Sequence, residues 1–307
     1  MFKMNSIINY SNINYNIKPN IKPDIKSNIK TRKIVNVYKQ KYINNIGMGL
    51  GDYIRGSFFL LEFCKENNIE FDLDFSEHPI SKFIINQYND TKIDYTNVLY
   101  FHNYNRTKSK SDIMDYINSN NNNKIQYLFT NNHPNINKIT QVEKNIIKSK
   151  FIPNKELDNA IEETLNKLNL TKKKYNVIHI RIGDRYIIDN KDIDNIILND
   201  IDNIFKNITF NDNEKYLLLS DSKELKKNFK NKYPFLIVQN NDIVHLAGNC
   251  SNDDGLKNTM VDFFLIANSN SILTMSIYGH ITGFSHYCSI IYNIPISLIR
   301  LKNYFNQ

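Results

Sequence analysis

Residues 175–186, Tyr175-Asn176-Val177-Ile178-His179-Ile180-Arg181-Ile182-Gly183-Asp184-Arg185-Tyr186, decide the fold. A short apolar run gives way abruptly to Arg, Gly and Asp, the pattern of a buried strand that stops at a functional edge. On a strand, side chains two apart share a face, so His179 and Arg181 point the same way at the strand's end. A guanidinium there suits bidentate pairing with a diphosphate. An imidazole beside it suits a hydrogen bond to a base or ribose. Gly183 lets the chain turn. Asp184 is placed either to brace Arg181 in a strand-end ion pair or to cap the loop that follows.

The same alternation extends in both directions. Downstream come a helix over 192–207, a strand Lys215–Ser220 ending at Asp221, a helix over 222–231 and a strand over 235–239. A helix over 256–268, a strand over 271–276 and a helix over 278–292 complete the series. Upstream, a strand at 41–46 leads into the loop Gly47-Met48-Gly49-Leu50-Gly51-Asp52 and an apolar helix over 53–68. A strand over 69–75, a helix over 78–89 and strands at 97–102 and 125–130 follow. Residues 111–123, which end in an Asn run, read as a surface loop. Helices at 139–152 and 154–168 flank Pro153. Repeated strand-then-helix units with apolar strands imply parallel sheets covered on both faces. The expectation is an α/β protein with two Rossmann-like domains facing across a cleft. Residues 1–38, with the repeat IKPN-IKPD-IKSN-IK, are expected to form a low-complexity arm. Residues 39–152 then form an N-terminal domain and 153–307 a C-terminal one.

Composition narrows the function classes. At 307 residues the chain is long enough for two domains, and its 23% charged residues are ordinary for a folded protein. No apolar stretch is long enough to span a membrane and the first residues lack a signal-peptide core, so a soluble, cytoplasmic protein is expected. Three widely spaced cysteines form neither a disulfide framework nor a metal motif. The net charge of +8 comes from lysines scattered among Asp and Asn, not from a basic stripe interleaved with aromatics. It therefore does not point to nucleic acid.

The composition is skewed toward Asn, Ile, Lys and Tyr, which makes its rare residues informative. Four of the nine glycines fall at 47, 49, 51 and 56, and three of the six arginines, Arg55, Arg181 and Arg185, lie in or beside the glycine-bearing motifs. In open α/β sheets ligands sit at the carboxyl ends of the strands, and every such motif here falls at one. Gly47, Gly49 and Gly51 would let helix-start amides approach an anion or sugar. Arg55, one turn on, would point back to the cleft. Ser220 and Asp221 close one strand and either read a base or cap the next helix. Asp262 opens a further motif with Thr274, Ser276, Tyr278, Gly279 and His280, where hydroxyls and helix amides could hold phosphate oxygens. Asp72 and Asp74 alternate with Phe inside a strand pattern and read as structural. No metal site is expected.

The stretch HIRIGDRY resembles the HxRxGD motif shared by the α-1,2-, α-1,6- and protein O-fucosyltransferases. LLLSDS is similar to the second motif of that superfamily, and DFFLIA with SILTMSIYGH to its third. GMGLGDYIRG is similar to the glycine loop that opens these enzymes, and also to the GLGD opening of the heptosyltransferases, which share the two-domain architecture. The resemblance implies an α/β fold of GT-B type and a metal-independent, inverting transfer of fucose from GDP-fucose to a glycan or protein hydroxyl. It makes Arg181 the β-phosphate ligand, His179 a nucleoside contact, Asp221 a guanine or ribose contact and Ser276 with its neighbours a phosphate site. Asp52 stands where the superfamily has Asn, and Tyr278-Gly279 where the α-1,2 group has an aromatic pair, which leaves the acceptor class open. Asp52 is the expected catalytic base. Another sugar nucleotide, or a nucleotide-binding protein without transferase activity, are the rival readings.

Overall fold

In a computed structural model the described residues are 32–40, 47–85, 98–101, 105–120, 123–183, 186, 192–247, 252–278 and 281–301. Every strand pairing among them is parallel, apart from one isolated antiparallel bridge between Ile84 and Pro153. The first sheet contains β1 (Lys33–Val37), β2 (Glu70–Asp74), β3 (Leu99–Phe101) and β4 (Ile125–Thr130), in the order β2-β1-β4-β3. The second contains β5 (Tyr175–Arg181), β6 (Lys215–Ser220), β7 (Leu236–Val238), β8 (Ser271–Ser276) and β9 (Ile296–Arg300), in the order β7-β6-β5-β8-β9. β5 is central and covered on both faces, so all of its residues but Arg181 are buried and no polar alternation survives.

The helices are α1 (Leu50–Glu66), α2 (Arg106–Ser119), α3 (Gln141–Lys150), α4 (Lys155–Lys167), α5 (Asn195–Lys206), α6 (Lys223–Lys232), α7 (Asp253–Ala267) and α8 (Gly283–Tyr292). Their starts are chemically marked. Asn154, Ser222 and Asn252 each accept a backbone N–H of the first turn, and Thr140 forms a capping box with Glu143. α5 buries Ile197, Ile201 and Phe205, a four-residue spacing that presents one stripe to the sheet. α1 is different: apolar residues from Tyr53 to Cys64 are buried around most of its circumference. It packs on β2 and β4 of its own sheet and also on α3 and α8. One core cluster runs without a break from Val35 and Phe129 in the first half to Phe263 and Cys288 in the second. The halves therefore meet through packed helices. None of the described helices is long and apolar enough to cross a membrane.

Several sequence expectations change. β1 lies within the stretch expected as an arm and occupies a central place in its sheet, so the arm ends before Lys33. Its five residues lie next to the low-complexity repeat and carry no bounding turn signal. The strand expected at 41–46 lies outside the described residues. Of the helix expected at 78–89, a 3-10 turn at Pro79–Lys82 is described. Most of the stretch expected as a surface loop belongs to α2, which buries only Ser109, Ile113 and Ile117 on an otherwise polar helix. No element was expected at Ile296–Arg300, which adds β9 at the sheet edge.

Candidate active site

The chain order of the second sheet reverses between β5 and β8, and in such sheets the crevice at that reversal is the binding place. There Arg181, at the end of β5, is in register with Ser276, at the end of β8. Beyond them lies a cavity of about 840 Å³, a size suited to a nucleotide-sized ligand. Its wall includes Arg181, Ser276 and Asp262 from the second half and Gly49, Asp52 and Arg55 from the first. His179, Gly47, Gly51, Ser220, Asp221 and Tyr278 also line it, so twelve of the expected site residues come together in one place.

Among the described residues Arg181 is held by Asp221. Its Nη1 donates to Asp221 Oδ2 at 2.8 Å, and the same carboxylate accepts the backbone N–H of Ile182 at 2.7 Å and of Gly183 at 2.8 Å. The Asp221 side chain is 3% exposed, and four donors, counting Ser220 Oγ at 3.3 Å, surround it. Asp221 thus clamps the turn after β5 and fixes the guanidinium. The expected cap of α6 comes from Ser222 of the same Ser220-Asp221-Ser222 motif. Gly183 has φ +124, and a Cβ there would fall 2.8 Å from Tyr278 Oη, so it shapes the turn from behind the cavity wall. Thr274, expected to bind substrate, is fully buried, bonds Ser285 and does not reach the cavity. Ser276 Oγ accepts the N–H of Tyr278. Asp184, Arg185, Gly279 and His280 lie outside the described residues.

Two helix starts converge on the cavity. α1 begins at Gly49 and α8 at Thr282, and neither has a side-chain cap, so their first N–H groups remain available to an anion. The helices touch at this end: a Cβ on Gly51 would fall 2.6 Å from the Phe284 nitrogen. Gly47 sits in the same way against the backbone of Ala247. These glycines act mainly by letting the two halves approach, which the loop alone did not reveal. Asp52 is ion-paired with Arg55 at 2.9 Å, and Arg55 Nε donates to the Asn131 carbonyl at 2.6 Å.

Electrostatics separate the deep groups from the outer ones. Burial pushes Asp262 up to about 7, an effect partly offset by Lys226, itself buried. No hydrogen bond reaches the Asp262 carboxylate among the described residues. His179 is pushed down to about 3 by burial and by Arg181, and its Nδ1 is buried without a partner. Both present neutral or near-neutral groups to a ligand. No group of three or more His, Cys, Asp or Glu among the described residues could hold a metal ion.

Sequence reading missed the strip Ile243–Ala247, which lines the cavity and is pinned by Thr259 Oγ1 to Val244 and by the His78 ring to the Leu246 carbonyl. It has no motif, only a position after β7. His133, His286 and Tyr287 were missed too, because they belong to no motif and meet only in space.

With this geometry in view, the structure aligns with solved glycosyltransferases. A FUT1 mutant of Arabidopsis thaliana in complex with GDP aligns at TM-score 0.60, with 10% identity over 91% of this chain and 73% of that one. The α-1,6-fucosyltransferase NodZ co-crystallised with GDP aligns at 0.53, with 10% identity over 89% and 96%. NodZ from Bradyrhizobium aligns at 0.51, with 11% identity over 87% and 95%. The fold is GT-B. No protein-family model matches the sequence, and no curated protein does. At these identities the likeness speaks for the GT-B backbone, and the chemistry rests on the site residues.

Proposed function

We propose that this GT-B protein is an inverting, metal-independent glycosyltransferase that moves fucose from GDP-fucose to a glycan or protein hydroxyl. The observation that carries the reading is Arg181, locked by Asp221 at the switch point opposite Ser276 and between two uncapped helix starts. When the bond from C1 to the diphosphate breaks, negative charge grows on the β-phosphate. A fixed guanidinium and helix amides meet that charge without reorganising. The neighbours' own ligands, GDP in FUT1 and in NodZ, agree with this assignment.

Asp262 supports the choice of base. Guanine offers an N–H and an NH₂ side by side, which a carboxylate accepts as a pair, whereas adenine and uracil offer no such doublet. An unpartnered carboxylate in the wall is therefore a guanine acceptor, and Asp221, whose oxygens are already engaged, holds Arg181 in place. In this reading residues 153–307 bind the nucleotide and residues 39–152 face the acceptor, with Arg55 and Asp52 on the acceptor side.

Thermal unfolding in EDTA tests it. GDP at about 100 times its Kd should add about 2.7 kcal/mol, roughly 5–10 °C for a domain of this size. The shift should vanish in Arg181→Ala. A shift with UDP or ADP in place of GDP would discard the donor, and a GDP shift without turnover of any GDP-sugar would leave a nucleotide-binding protein.

A further inference from the structure

Transfer to a hydroxyl needs a place for the proton, and the cavity holds several bases. Asp52 is ion-paired with Arg55. Asp221 is engaged by Arg181 and two backbone N–H groups. Asp262 lies deep beside buried Lys226. His179 carries a wholly buried Nδ1 at the end of β5. His133 and His245 have partners of their own. His286 stands apart: it lines the cavity, is half-buried, and its ring makes no hydrogen bond or ion pair among the described residues.

Its place in the fold suits the task. Gly283 rests on Gly51 of α1, so that side of α8 faces the first half. His286, three residues on, shares that side. It lies one turn from the uncapped helix start, and His133 approaches from the loop after β4 on the opposite half. The imidazole therefore stands at the seam where a donor held by the second half would meet an acceptor held by the first.

We infer that His286 is the catalytic base that takes the proton of the attacking hydroxyl, an inference that rests on the GDP-fucose reading. The bond from C1 to the β-phosphate oxygen breaks and its electron pair leaves with GDP. The acceptor oxygen bonds C1 from the opposite face, and its proton passes to the His286 nitrogen and then to solvent. Burial, and then the charge of His133, lower the His286 pKa from the ordinary value, so the ring is neutral and its lone pair free at neutral pH.

The test is GDP release from GDP-fucose with water and with a methyl glycoside as acceptors, alongside GDP-induced thermal shifts. His286→Ala should lose about 100-fold or more in release, keep the GDP shift, and recover when imidazole is added. His286→Gln, which keeps the bulk but takes no proton, should show the same loss without recovery. Wild-type release in His286→Ala, loss without imidazole rescue, or loss confined to Asp52→Asn overturns the assignment. A wild-type protein that releases no GDP from GDP-fucose overturns the donor reading itself.

Discussion

Two Arg–Asp pairs face each other across the cavity, and they are built differently. In the second half Arg181 meets an Asp221 side chain that is 3% exposed and shared with two backbone N–H groups. In the first half Arg55 meets Asp52, three residues away on the same helix and 39% exposed. The two guanidinium groups are equally sheltered, and Arg55 is also tied to the Asn131 carbonyl. The difference lies in the carboxylates: Asp221 is buried and joined to the backbone, whereas Asp52 is open to water. The Asp52 pair sits on a helix surface where solvent screens the attraction. The contrast separates a buried, backbone-anchored carboxylate on one side of the cavity from a solvent-exposed one on the other.

The sharpest way to break this contrast is Asp221→Ala. It removes the shared acceptor of a part-buried guanidinium and two backbone N–H groups, and should cost about 3–5 kcal/mol of stability in urea unfolding. A loss below about 1 kcal/mol would make the two pairs equivalent. Next is Gly51→Ala, whose methyl would fall 2.6 Å from the Phe284 backbone nitrogen. It should cost about 1–3 kcal/mol, read in the same urea unfolding series, while Gly49→Ala, which meets only the Asp52 carboxylate at 3.6 Å, should be nearly silent. Equal effects would mean that the contact between α1 and α8 does not limit the seam.

Asp262→Asn tests the deep wall through pH. Because burial raises the Asp262 carboxyl to about 7, its protonated form favours the folded state at low pH, and that contribution is lost as pH rises through 7. The unliganded Asn variant should therefore gain in melting temperature over wild type as pH rises from about 4 to about 7 and gain no further above it, while its GDP shift shrinks. A gain that does not grow with pH would remove the buried charge from the account. The smallest effect is expected from Asp52→Asn, under about 1 kcal/mol in stability at moderate salt. A larger loss would show that the outer pair also organises its half.

Much of the site was legible because chemistry needed residues this composition rarely supplies. Arg181 and Ser276 at strand ends, Asp262 on a helix and the glycine loop at the start of α1 are visible in the sequence, and the structure brings them to one cavity. The errors have a common source. Thr274 shares a strand face with Ser276 but lies two residues deeper, where Ser285 bonds it, and strand periodicity assigns a face without saying how far along it a cavity reaches. β1 and α2 were hidden by a neighbouring repeat and by a polar surface. His133 and His286 belong to no motif, since each is one residue on a different half.

Alternating apolar strands and helices, a glycine loop and an HxRxGD stretch determined by themselves that parallel sheets would carry polar residues at their carboxyl ends. That information is local, set by side-chain periodicity and backbone freedom. The partner of Arg181, the burial that raises Asp262, the contact of Gly51 with Gly283 and the approach of His133 to His286 were decided only in three dimensions. Hydrogen bonds, desolvation and close packing act through space, between residues from 39 to more than 200 positions apart in some of these pairs, and no local pattern records them.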